Sequence, residues 1–263
     1  MNPIVKLCIV GLALIISACG KESIEANLIP CIPDELQTNV VGFYPFTNGT
    51  LNDLSGNDQD LTNPTTASPV ADRNGNTNCA FGFNNLPNSG EYLTRVDPTS
   101  FENLNDFSIS FWYQPLDTTR DGGIFEHLVS NYTSPDWSQE DRIWTIGLYD
   151  CRKAVFLKTN SVWDNNITDF NCEEEVTTRT NSWHHLVATY QDSAVEMVIY
   201  RDGQLQNTQI GHYPGNTPTP NNLGDLFIGQ FYNGQIDDII IFNKALNQQE
   251  VNSLSKMEPC CAE

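Results

Sequence analysis

Few residues in this sequence have the types and spacings that catalysis needs. The densest acidic run is Glu173-Glu174-Glu175, beside Cys172. A general acid and its partner carboxylate must face one cleft, whereas consecutive strand residues send their side chains to alternating sides. The run therefore reads as a solvated strand edge that like charges protect from pairing. The four histidines are scattered, and neither His-Glu-x-x-His for zinc nor Gly-x-Ser-x-Gly for a nucleophile occurs. His184 and His185 project to opposite faces of a strand and cannot ligate one ion. These features point away from an enzyme.

The residues suited to binding are aromatic. Trp137, Trp163 and Tyr213 sit in three loop-like stretches, 117–141, 159–180 and 211–222, among Asn, Asp and Thr. A flat ring stacks on the apolar C–H face of a sugar while short polar side chains orient its hydroxyls, so the set predicts a glycan site. The same rings also suit the anchoring of long loops onto the body of a fold. The sequence leaves both readings open.

Residues 1–18 place Lys6 ahead of an apolar run at 7–16 and small residues before Cys19, the pattern of a signal peptide. The run is shorter than the roughly 20 apolar residues a spanning helix needs. Ile16-Ser17-Ala18-Cys19 resembles a bacterial lipobox, which makes Cys19 the expected lipidation site and implies an acyl anchor at the outer membrane. Of eight cysteines, Cys8 leaves with the leader. Cys31, Cys79, Cys151, Cys172, Cys260 and Cys261 then lie in an exported chain with no C-x-x-C pair, which favours disulfides. Cys151 and Cys172 flank neighbouring strands and are expected to pair, stapling the loop that carries Trp163. Cys31 and Cys79 are expected to take Cys260 and Cys261 in an order the sequence leaves open. With 33 acidic against 13 basic residues the formal net charge is −20, which repels phosphate backbones and argues against a nucleic-acid partner.

The elements that must position these residues are short β-strands. Runs rich in β-branched and aromatic residues recur at 40–46, 107–113, 143–149, 154–159, 183–190, 195–201, 225–229 and 235–242, between clusters of Asn, Asp, Gly, Pro and Thr. Phe107, Ile109, Phe111 and Tyr113 share one face of a strand, with Ser108 and Ser110 on the other. Asp202-Gly203 supplies the positive φ angles of a type I′ hairpin turn leading into a strand at 204–210. One short helix is predicted from Asn247, with Glu250 completing a capping box, to about Lys256. The polar stretch 19–39, interrupted by Pro30 and Pro33, reads as a lipidated N terminus and tether to a single domain at 40–263.

Four stretches, in order, resemble the laminin-G-like, concanavalin-A-like jelly-roll family. They are Gly42-Phe43-Tyr44-Pro45-Phe46 with Asn52-Asp53-Leu54-Ser55-Gly56-Asn57, Phe107 through Trp112, Trp183 through Tyr190 with Tyr200-Arg201-Asp202-Gly203, and Ile228-Gly229 followed by Gly234 through Ile239 and Asn243-Lys244-Ala245-Leu246. The resemblance implies an all-β sandwich of two antiparallel sheets with its first and last strands adjacent. Glycan hydrolases of this fold class place carboxylates at Glu-x-Asp-x-x-Glu on one strand, a pattern that does not occur here. The resemblance also implies a structural calcium, bound by Asp53 and Asp237 with oxygens from the Ser55 to Asp58 turn. The expected protein is a non-catalytic surface module whose partner is an extracellular glycan or, alternatively, another surface protein; hydrolysis is the remote reading. Peptide mapping under non-reducing conditions is expected to recover Cys151 joined to Cys172, and a free Cys151 would overturn that pairing.

Overall fold

The alternation of Phe107, Ile109, Phe111 and Tyr113 with small polar residues is realised in the computed structural model as β5 (Asp106–Pro115), the centre of one of two sheets. The structure describes residues 29, 31–85, 90–116, 125–131, 144–149, 152–158, 160–164, 181–213 and 223–261. Within them lie β1 (Val40–Tyr44), β2 (Ser68–Val70), β3 (Ala80–Asn84), β4 (Leu93–Arg95), β6 (Glu126–Ser130), β7 (Thr145–Tyr149) and β8 (Lys153–Leu157). β9 (Ser161–Trp163), β10 (His184–Gln191), β11 (Glu196–Arg201), β12 (Gln204–Ile210), β13 (Leu226–Ile228), β14 (Asn233–Phe242) and a single α-helix among the described residues, α1 (Gln248–Leu254), complete the order. One sheet runs β12-β11-β10-β5-β14-β3-β2, with β1 also on β14; the other runs β4-β13-β6-β7-β8-β9. All pairings are antiparallel, and the two sheets form the jelly-roll sandwich the strand pattern implied.

The core between the sheets takes the inward face of each strand: Phe107, Ile109, Phe111 and Tyr113 from β5, Leu186, Ala188 and Tyr190 from β10, Ile146 and Leu148 from β7. The opposite face of the larger sheet is also buried. Phe43, Val187, Val198, Tyr200, Ile240 and Phe242 pack there under Ile29, Ile32, Leu36, Leu246, Val251 and Leu254. The stretch read as a tether is thus docked from Ile29 onward, because its apolar residues find a second apolar sheet face to cover. Cys31 joins Cys260 and Cys79 joins Cys261, tying that segment and the start of β3 to the carboxyl tail. Cys151 and Cys172 lie outside the described residues, as do Cys19 and the leader.

Local chemistry matches local structure at the two turns read from sequence. Asp202 and Gly203 hold φ of 51° and 78°, the type I′ geometry, between β11 and β12. Asn247 caps α1, accepting from the backbone N–H groups of Gln249 and Glu250 while Glu250 accepts from the Asn247 N–H. Ser108 pins the approach to the helix by donating to the Lys244 carbonyl and accepting from the Leu246 N–H.

β14 changes neighbour midway. Asn233–Ile236 pairs with β3, and the half from Ile239 to Phe242 pairs with β1. The change is absorbed by a bulge between Asp237 and Ile240 in the pairing with β5, with Asp238 at φ 46°. Both aspartates are buried, and the guanidinium of Arg73 reaches them at 2.7 and 2.8 Å. The same guanidinium donates to the Met257 carbonyl and lies 4.4 Å from the Trp112 ring centre. Burial, opposed by Arg73, pushes the Asp238 carboxyl up to about 6; burial and the Asp238 charge push Asp237 up as well. An acid with a raised folded pKa holds a proton that the unfolded chain has already released. Its contribution is therefore complete below about pH 4 and declines as pH rises toward 6. Urea unfolding of wild type and Asp238→Asn, a change that tolerates the positive φ, is expected to show the wild type losing about 1–3 kcal/mol relative to the variant between pH 4 and 6. A pH-independent difference would overturn this assignment.

Candidate functional site

Three aromatic rings and one buried amide meet where β4 and β13 end. Thr94 pairs with Phe227 across these two strands, and the inward turn of Leu226 and Ile228 leaves Phe227 on the outer face of the sheet. Tyr92, just before β4, sets its ring 5.8 Å from that of Phe227 at 65°. Beyond β13 the chain turns at Gly229, where φ is 79° and a Cβ would lie 2.4 Å from the Phe83 ring. The Tyr232 N–H closes this turn on the Gly229 carbonyl and holds Phe231 at φ 55°, a conformation a bulky residue rarely adopts. Tyr92, Phe227, Phe231, Gln230, Gly90 and Glu91 line a cleft of about 260 Å³. All three rings are partly exposed, whereas Gln230 is 7% exposed and its side-chain Oε1 has no hydrogen-bond partner.

The walls are held together by Asn85, itself 5% exposed. Its Nδ2 donates to the carbonyls of Glu91, Gly229 and Tyr232 at 3.1, 2.8 and 2.9 Å, and its Oδ1 accepts from the Glu91 N–H at 2.8 Å. One carboxamide thus fixes the 90–92 segment against the 229–232 turn. Glu91 faces a second, open groove of about 400 Å³ that runs over β2, β3 and β14 and includes Asn84, Asn233, Gln235 and Leu116. The Glu91 carboxylate accepts from the Asn84 N–H and the Thr66 hydroxyl. Rings for stacking, neutral amides for hydroxyls and a cleft open to solvent form the equipment of a binding site.

One pair resembles a nucleophile and base. Ser110 Oγ lies 2.9 Å from His185 Nε2, on adjacent strands. Both are buried, and burial drives the imidazole down to about 3, so the ring is neutral, weakly basic and closed to substrate. The pair belongs to the packing between β5 and β10.

Of the residues expected to hold calcium, Asp53 is already engaged within the fold. Asp53 accepts four hydrogen bonds, from the N–H groups of Phe43, Ser55 and Gln59 and from the Ser55 hydroxyl. Asp237 Oδ2 accepts from Arg73 while its buried Oδ1 has no hydrogen-bond partner, and Asp58 is an exposed turn residue. Calcium takes six to eight oxygens, and both carboxylate oxygens of Asp53 are committed to N–H and O–H donors. The acidic and sulfur ligands of Asp72, Cys79 and Cys261 do approach one another, but both sulfurs are joined in a disulfide and Asp72 accepts from Asn74 and Asn76.

Of the aromatic set chosen from sequence, Trp163 and Tyr213 fall within the described residues. Trp137 lies outside them. Trp163 sits on β9, partly buried, with its Nε1 donating to Ser161 Oγ and its ring edge-on to Tyr149 at 6.1 Å. Tyr213 is 45% exposed next to the Gly211 carbonyl that accepts from Asn160, and no ring contact joins it to Trp163. The cleft residues Tyr92, Phe227, Gln230 and Phe231 were missed. A signal existed for one of them: in Leu226-Phe227-Ile228 the alternation of a strand must turn either the two aliphatic residues or the aromatic ring outward.

The family model for the "Concanavalin A-like lectin/glucanases superfamily" matches residues 87–252. No curated protein sequence matches the chain. Among solved structures, it resembles the binding domain of Paraclostridial Mosquitocidal Protein 1, with a TM-score of 0.62 and 22% identity over 83% of this chain and 52% of that one. The Botulinum neurotoxin serotype D binding domain gives 0.63 and 15% over 84% and 51%. The binding domain of Botulinum Neurotoxin DC in complex with SialylT gives 0.64 and 18% over 84% and 51%. At these identities the shared property is the fold, and the chain spans about half the length of each.

Because Asn85 satisfies three carbonyls and one N–H in a buried place, Asn85→Ala is expected to lower stability by about 1–3 kcal/mol in urea unfolding. Asn85→Asp, which keeps the acceptor but loses both N–H donors, is expected to be no better. An unchanged unfolding midpoint in both variants would remove Asn85 as the clamp.

Proposed function

The chain belongs to the concanavalin A-like lectin/glucanases superfamily, and from that premise we propose that it is a non-catalytic glycan-binding module, carried at the outer membrane by a lipid on Cys19. The observation that carries the reading is the cleft of Tyr92, Phe227 and Phe231 beside Gln230, whose Oε1 has no hydrogen-bond partner. A pyranose offers a C–H face to such rings and hydroxyls to such an amide. An unpartnered amide oxygen on a side chain nine-tenths buried is unfavourable by itself, and a hydroxyl donor that reached it would relieve it. The SialylT complex of a domain with the same fold lends support to a glycan partner. Among the described residues no accessible acid pair or nucleophile accompanies the cleft, in keeping with binding without cleavage, and Trp163 and Tyr213 are left to anchor or extend loops elsewhere.

Tyr92 and Phe227 are partly exposed, so truncating them removes stacking surface while disturbing little of the core. Tyr92→Ala combined with Phe227→Ala is expected to weaken glycan retention at least about tenfold, given roughly 1–3 kcal/mol for a stacked ring, with the melting temperature changed by only a few degrees. Retention unchanged on a glycan array would overturn this cleft as the site, and an array on which the wild type retains nothing would overturn the carbohydrate reading itself.

A further inference from the structure

Glu91 lines both the cleft and the groove. We infer that together they hold an uncharged oligosaccharide along its length, and that they reject sialylated and other anionic glycans. The inference rests on the carbohydrate reading of the cleft and specifies the class of ligand.

Two observations carry it. The first is charge. Among the described residues that line the two cavities Glu91 is the one charged side chain, and neither arginine, lysine nor histidine faces them. Recognition of a carboxylate needs a cation or a convergent set of N–H donors. Here the anion would meet a fixed carboxylate, within a chain of net charge −20. A like charge about 6 Å away at a protein surface weakens binding by about fivefold or more.

The second is extent and chemistry. The aromatic cleft of about 260 Å³ has room for a single sugar ring, and the groove of about 400 Å³ lies on the other side of Glu91 with room for more. That groove presents the amides of Asn84, Asn233 and Gln235, with Leu116 as an apolar wall. Neutral amides both donate and accept, which suits successive hydroxyls on linked rings. One sugar stacked on Tyr92 and Phe227 therefore leaves its neighbours to lie over Glu91 and the amides beyond.

The test compares the purified protein's binding of a panel of neutral tetrasaccharides, their monosialylated counterparts and the constituent monosaccharides by calorimetry. Neutral tetrasaccharides are expected to bind at least about fivefold tighter than sialylated ones, and tighter than the monosaccharides. Glu91→Gln is expected to narrow the gap between neutral and sialylated ligands. Raising salt from 0.05 to about 0.5 M with the wild type should narrow it too, a check that stands if the variant folds poorly. Equal or preferred binding of sialylated ligands would overturn this inference and leave the carbohydrate reading standing. Binding of monosaccharides as tight as tetrasaccharides would overturn the shared length of the site. No binding of either class would overturn both.

Discussion

A single guanidinium between two buried carboxylates makes the larger sheet possible. β14 must pair with β5 throughout, with β3 at its start and with β1 at its end, and no straight strand can do so. The change of partner requires a bulge, and the bulge puts Asp237 and Asp238 into the interior. Two such charges without a partner are among the least favourable things a protein can bury, and removing one member of a buried pair typically costs about 3–5 kcal/mol. Arg73 answers both through one terminal nitrogen, and its other terminal nitrogen donates to the Met257 carbonyl in the carboxyl tail. The tail in turn gives the Cys260 N–H to Asp238 and its two adjacent cysteines to Cys31 and Cys79. Strand exchange, ion pair, tail and disulfides form one connected arrangement, and this arginine sits where the calcium-binding aspartate was expected to find a metal.

The candidate site depends on a second buried polar group of the same kind. Asn85 bridges residues 144 and 147 positions away in sequence, and its amide is saturated by the contact. That geometry fixes the cleft walls with a neutral side chain. Gly229 and Phe231 add local constraint: the first can approach Phe83 only because it lacks a Cβ, and the second is held in the left-handed region by the turn it completes. Backbone of this sort persists where its surroundings over-determine it, and such positions often accompany binding sites. The rings are aimed by the fold, with little freedom left to lose when a ligand arrives.

What the sequence made legible follows from period and turn chemistry. The alternation in β5, the Asp202-Gly203 turn and the capping box of α1 are local, and each stands where local rules put it. Five strands were not read: β2, β3, β4, β6 and β9. Three are only three residues long, too short for a period to declare itself, and β2 contains Pro69, which argues against a strand except at an edge. The docking of Ile29, Ile32 and Leu36 was hidden because their partner surface, the second face of the larger sheet, is made by residues far away in sequence. The same holds for the site. Large aromatics in long loops attract attention, but Tyr92 and Phe227 come together through pairing of β4 with β13, which no local pattern reveals.

The two apolar faces of the larger sheet also bear on where a ligand can bind. One face packs on the smaller sheet and the other lies under the N-terminal segment, α1 and the disulfide-linked tail. A sandwich with one sheet buried on both sides has surrendered the broad face on which a ligand would lie across several strands. What that sheet keeps open is the rim at β2, β3 and the start of β14, where Gly82 carries no side chain and Asn84 and Gln235 reach toward solvent. This is the end at which the Asn85 clamp brings in the 90–92 segment and the β13 turn from the smaller sheet. Binding at a rim where both sheets contribute lets loops set the specificity while the packed sheets hold the walls still. The covering that stabilises the far face of the sandwich therefore also directs recognition to this edge.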